Sequence, residues 1–122
     1  MIVAGFGFRT GVSAASLYEA LMLAMGGHRP DCLATAADKA QSAAFQQLVT
    51  ETGLPFRAIP ARDLAAINTP TQSAAAQTSH GTGSVAEAAA LAAAGPQARL
   101  LAPRIISTDR QATCALAMTE DP

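Results

Sequence analysis

The sequence predicts a three-layer α/β/α fold around a mixed sheet of about five strands. Three observations predict it. Short apolar runs alternate with amphipathic runs three times between residues 2 and 67. Two further apolar runs flank a polar tripeptide near the carboxyl end, the pattern of an antiparallel hairpin. Alanine fills 30 of the 122 positions and only five residues are aromatic, so the helices must lie close on the sheet to bury enough surface. This length accommodates one domain, residues 1–122, with 119–122 as a tail.

Residues 2–8, Ile2-Val3-Ala4-Gly5-Phe6-Gly7-Phe8, read as a buried first strand, with glycines where another backbone or a ligand comes close. A turn over Arg9-Thr10-Gly11-Val12 leads to Ser13, an N-cap, and Ser16 to Glu19 offers a second capping start. Leu17, Leu21 and Ala24 then mark the inward face of a helix that Gly26-Gly27 ends. Residues 31–36 form a second strand. Asp38 is placed to cap the next helix, which holds Ala40, Ala44, Phe45 and Leu48 inward and stops at Gly53.

Residues 55–59 form a third strand and residues 61–67 a short helix after Pro60. Asn68-Thr69-Pro70 breaks the chain, and residues 73–78 make one or two helical turns. His80-Gly81-Thr82-Gly83-Ser84 is a glycine loop running into an alanine-rich helix, which Gly95-Pro96 stops. Residues 99–107 and 111–118 are two strands joined by the turn Thr108-Asp109-Arg110. Right-handed crossovers make the first three strands parallel, and ligands of such sheets bind beyond the strands' carboxyl ends. That edge gathers residues 8–11, 35–39 and 80–84.

Net charge is −1, without a charge run, which excludes the basic stripe of a nucleic-acid binder. No targeting or membrane-spanning segment is visible, so a cytoplasmic setting is expected. Cys32 and Cys114 lie far apart in apolar runs and read as small buried hydrophobes; no metal-ligand spacing occurs.

The glycine loop reads two ways. Free N–H groups at the helix start suit an anion, and Ser84-Val85-Ala86-Glu87 equally fits a capping box. Glu87 is thus a cap partner or a functional carboxylate. His80 is a solvated loop histidine or a group titrating near neutrality that serves as a base. Arg9, at the end of the first strand, suits a bidentate carboxylate contact or simple solvation. Lys39, the one lysine, falls in the first turn of the second helix, where the dipole disfavours a cation by about 0.3–1 kcal/mol. An anionic ligand or Asp38 would offset that. Arg104 extends the same basic set.

The residues Gly5 to Gly11, Thr35 to Lys39, Gly83 to Leu91 and Thr113 to Ala117 resemble, in order, the C-terminal domain of the cobalamin-biosynthesis protein CbiG, and most closely its stand-alone CobE form. Phe8 stands where many relatives carry cysteine, and Ser42-Ala43 where they often carry glutamate. The resemblance implies a corrinoid or precorrin intermediate as ligand, no permanently bound cofactor, and other cobalamin-pathway enzymes as partners. CbiG-type proteins, which carry additional domains ahead of this one, open the lactone ring of a cobalt-precorrin and release acetaldehyde. The ligand-binding set expected is Gly7, Arg9, Thr10, Gly11, Asp38, Lys39, His80, Gly81, Gly83, Ser84 and Glu87, with Glu87 and His80 as candidate catalytic groups.

Three functions therefore compete: a corrinoid carrier, a lactone hydrolase, and a dinucleotide or phosphate binder. The last draws only on Gly5-x-Gly7 after a strand, since Thr10 replaces the third glycine of the fingerprint.

Overall fold

Alternation along the first strand decides the layering. The structure, a computed structural model, describes residues 1–120. In β1 (Ile2–Phe8), Ala4 and Phe6 join one core and Val3 the other. That is the period-two pattern of a strand buried on both faces. β2 (Cys32–Ala36) pairs with it in parallel, and β3 (Phe56–Ile59) pairs with β2 likewise. On its other side β6 (Ala112–Met118) runs antiparallel. The order is β3-β2-β1-β6-β4, with β4 at Arg99–Leu100, and β5 (Ile105–Ile106) also pairs with β6.

The two faces are built differently. α1 (Ala14–Met25) and α2 (Ala43–Thr52) cover one face, where Leu17, Leu21, Phe45 and Leu48 meet Phe6, Leu33 and Leu116. All four phenylalanines belong to this side: the rings of Phe6, Phe8 and Phe56 lie 5.7–6.2 Å from that of Phe45. Opposite them lies α5 (Val85–Ala94), eight of whose ten residues are buried, flanked by α3 (Ala61–Ala65) and α4 (Ala74–His80). Alanine makes a core here because the helix comes so close. A methyl group on Gly5 would sit 2.2 Å from the Ala86 carbonyl oxygen and 2.5 Å from the Ala90 nitrogen. No helix of the described residues is long and apolar enough to cross a membrane.

The expected caps and stops at Ser13, Ser84, Gly26 and Gly53 hold, with Gly26 left-handed at φ 50°. Cys32 and Cys114 are buried free thiols, and desolvation pushes both thiols' pKa up. Several expectations need correction. Asp38 does not cap α2. Lys39 N–H donates to Ala36 O and Ser42 N–H to Lys39 O, so the chain turns before the helix starts at Ser42, whose hydroxyl accepts from Phe45 N–H. Lys39 therefore lies ahead of the helix and escapes its dipole. The single strand expected over residues 99–107 is two short ones, giving six among the described residues. Pro103 has no N–H for the ladder, and Arg104 N–H is drawn away to Glu87.

The fourth helix starts as expected but runs to His80, and the third ends at Ala65 rather than residue 67. Gly5 and Gly7 lie inside β1 as expected, and it is the backbone of α5 that comes close to them. Thr119 is buried, exchanging backbone hydrogen bonds with Met1, and of the expected tail residues 121–122 lie outside the described residues.

Gly5→Ala should destabilise the protein by about 3 kcal/mol, the upper part of the overpacking range, or prevent its accumulation. Gly7→Ala should cost less, because its closest neighbour is the Thr113 hydroxyl at 2.9 Å, a side chain that can shift. Urea unfolding of the two variants beside the wild type measures the difference; equal stability of Gly5→Ala and wild type would contradict the packing described.

Candidate functional site

The loop entering α5 is fixed by its polar residues. Ser84, fully buried, accepts Glu87 N–H at 3.3 Å and caps the helix. The reciprocal half of a capping box does not form, because the Glu87 carboxylate is engaged elsewhere. Its Oε1 accepts Thr71 N–H at 3.0 Å, and its Oε2 accepts the Thr71 hydroxyl at 2.7 Å and Arg104 N–H at 2.8 Å. Glu87 is itself fully buried and stitches two loops to the helix.

Beyond the carboxyl end of β1, and beside the start of α5 at Val85, opens a cavity of about 380 Å³. Arg9, Lys39, His80, Arg104 and Arg110 line it, and among the described residues no carboxylate does. Gly7, Phe8, Thr10 and Thr113 complete the wall on the β1 and β6 side. Four permanent cations share one small space without an acidic partner among the described residues. Such a cleft attracts anions and repels cations.

Each cation has its own support. Arg9 follows β1 directly, and its N–H donates to Gln111 O at 3.1 Å. Lys39 Nζ donates to the Thr10 hydroxyl at 3.3 Å and stands 5.6 Å from the Phe8 ring centre, a cation–π distance. The bowed segment before β5 delivers Arg104. Arg110 occupies the turn between β5 and β6 with φ 62°, the left-handed region uncommon for a side chain of its size. Asp109 holds that turn: its carboxylate accepts the Ser107 hydroxyl at 2.6 Å, Gln111 N–H at 3.1 Å and the Ser16 hydroxyl of α1. Those hydrogen bonds, Ser107's first, lower its pKa.

Of the residues expected at the site, the structure brings Gly7, Arg9, Thr10, Lys39 and His80 to this cavity, with Arg104. Asp38 and Gly81 line a neighbouring one, and Asp38 reaches His80: its two oxygens lie 3.0 and 3.1 Å from Nε2. His80 Nδ1 is 2.7 Å from the Ser79 hydroxyl, so both ring nitrogens are engaged. Gly11, Gly83, Ser84 and Glu87 do not line the cavity. Gly83 packs instead, with Thr71 O where a methyl group would go. Arg110, Gln111, Thr113, Ser73 and Ser79 were not foreseen. The signal for Arg110 and Gln111 was the hairpin itself, since an antiparallel last strand must begin where β1 ends, and Phe8 pairs with Ala112.

Glu87→Gln should lower stability by about 1–3 kcal/mol in urea unfolding, since its amide sets a donor against other donors. A neutral result would contradict the hydrogen-bonding described. Asp109→Asn should lower stability at pH 7 but progressively less as pH falls below the ordinary carboxyl value of 3.8. The sign follows from the lowered pKa: the folded state is favoured above the unfolded value, and the advantage disappears as pH falls through the folded one. A difference that stays constant down to pH 2 would show that the charge is not involved.

The comparisons with known proteins agree with this architecture. A crystal structure of CobE, a protein from the cobalamin (vitamin B12) biosynthetic pathway, superposes with a TM-score of 0.87 at 33% identity, covering 99% of this chain and 93% of that one. The cobalamin biosynthesis protein chiG from Agrobacterium tumefaciens str. C58 gives 0.78 at 34% identity, covering 99% of this chain and all of that one. A cobalamin biosynthesis protein G homolog from Sulfolobus solfataricus gives 0.69 at 20% identity, a likeness of fold alone, over 95% of this chain and 36% of that one. No curated protein matches significantly. The sequence model of the family described as cobalamin synthesis G C-terminus matches residues 2–117, and the chain belongs to that family.

Proposed function

We propose that this protein binds a corrinoid intermediate of cobalamin biosynthesis by its carboxylates and carries it between enzymes of that pathway, in the cytoplasm. The observation that carries the reading is the cleft of Arg9, Lys39, Arg104 and Arg110, which among the described residues has no acid on its lining. A corrinoid intermediate is a macrocycle edged by carboxylates, and guanidinium groups pair with carboxylates in two parallel hydrogen bonds. At about 380 Å³ the cleft is near the lower end of the ~300–1,000 Å³ typical of small-molecule sites, so it takes an edge of the ring. A carrier needs charge complementarity and access, both present here, rather than a nucleophile. The relatives named for the same pathway support the choice of anion.

One observation favours a second reading, hydrolytic opening of a precorrin lactone. His80 stands in the cavity wall with Nε2 held by Asp38, and its Nδ1 would act as a base through the Ser79 hydroxyl, 2.7 Å away and also on the lining. Against Glu87, the other candidate base, stand its three donors and its full burial.

Titration with hydrogenobyrinic acid, followed through the ligand's visible spectrum, tests the proposal. Wild type should shift the spectrum. Arg9→Ala, Lys39→Ala and Arg110→Ala should each bind about tenfold more weakly, near 1.4 kcal/mol apiece, and binding should weaken with added salt. No spectral change and no co-elution with the wild type would overturn the carrier reading. Acetaldehyde released from precorrin-5 by wild type and lost in His80→Ala would replace it with hydrolysis.

A further inference from the structure

A second cavity, of about 590 Å³, lies on the far side of His80. Apart from Asp38, Arg62, Ser79 and His80 its lining is apolar, with Ala36, Ile59, Ala61, Leu64 and Ala65 from the carboxyl ends of β2 and β3 and from α3. It shares Ser79 and His80 with the cationic cleft, so the last turn of α4 stands between the two. That partition is lightly held. α4 contributes no buried residue; Ala76 packs half-buried against the core, and the polar fastenings are Ser73 N–H to Gly83 O at 2.7 Å and the His80–Asp38 pair.

We infer that the two cavities are the halves of one binding site for an amphiphilic polycarboxylate, with His80 as the divider between them. The ligand's carboxylates meet Arg9, Lys39 and Arg110, and its hydrocarbon face lies against the exposed methyl groups of Ala61 and Ala65, over buried Ile59 and Leu64. Orientation follows from charge. Asp38 lines the second cavity with its side chain 63% exposed and repels a carboxylate there, while Arg62, also on its lining, is 88% exposed and stands 4.0 Å from the Asp63 carboxylate, which offsets its charge. Apolar surface buried in that half adds affinity at roughly 25 cal/mol per Å², which a small hydrophilic anion in the cleft cannot gain. The inference rests on the reading of the cleft as a carboxylate site and adds where the rest of the ligand goes.

The test uses two probes, hydrogenobyrinic acid and citrate, with binding measured by calorimetry. Ala65→Trp fills the second cavity from an exposed position, and Ala61→Phe does the same from another. Wild type should bind the corrinoid more tightly than citrate. Either variant should weaken the corrinoid at least tenfold and leave citrate unchanged, whereas Arg9→Ala should weaken both. Corrinoid affinity unchanged in both filled variants, or corrinoid and citrate weakened alike, overturns the bipartite site while the cleft stands. Citrate bound by wild type without the corrinoid does the same. If wild type binds neither probe, the cleft reading fails and takes this one with it.

Discussion

The fold depends on the contact of α5 with β1 at Gly5. A helix backbone settles directly on the strand because no side chain intervenes, with its Ala86 carbonyl and Ala90 amide where a β-carbon would lie. At that spacing alanine is the largest residue that fits repeatedly, and the helix accordingly supplies Ala86, Ala89, Ala90 and Ala93 to the core. Burial of so much helix backbone leaves no water for its polar groups, so each must find a partner inside the protein. The phenylalanine side chains are then confined to the opposite face, under α1 and α2.

The same close approach explains Glu87. An acidic side chain in the first turn of a helix pressed onto a sheet has no route to solvent, and it is stable there because Thr71 and Arg104 offer three donors. Taking Arg104 N–H from the sheet interrupts the strand that pairs with β6 and sets Arg104 at the cavity. Asp109 acts in parallel at the hairpin turn, where its bonds to Ser16, Ser107 and Gln111 hold Arg110 in a left-handed conformation. Two carboxylates thus position two arginines from behind, and neither lies on the lining where it would neutralise them. The positive field of the cleft is a consequence of where the acids were placed.

Much of this was legible in the residues. The three parallel strands, the hairpin, the serine caps and the glycine stops follow from local rules that the structure obeys. The gathering of Arg9, Lys39 and His80 at one sheet edge followed from topology alone. What was not legible depended on partners distant in sequence. Asp38 has the chemistry of a cap, but the chain turns twice before α2, and His80 lies 42 residues away to receive it. Glu87 has the spacing of a capping box, and Thr71 outbids Ser84 for its oxygens through the packing of α5. Residues 99–107 have a strand's composition, and Pro103 with the demand of Glu87 divides them. In each case a local rule named the right residue type and a tertiary contact assigned its partner.

A cleft of this kind has an energetic tension of its own. Four cations without acidic partners among the described residues repel one another, and at the effective dielectric of a protein surface such repulsion is not fully screened. The empty protein bears that cost, whereas a bound polyanion removes it and restores favourable pairing at each guanidinium. Binding and stability are thereby linked, and a ligand held at a hundred times its dissociation constant would add about 2.7 kcal/mol to the folded state. The element that borders the cleft with the fewest buried anchors, α4, is also the one whose last residue, His80, touches both cavities. Charge concentrated on rigid strand ends and turns, facing a helix that is lightly tied, is an arrangement suited to taking up a large anion and letting it go again.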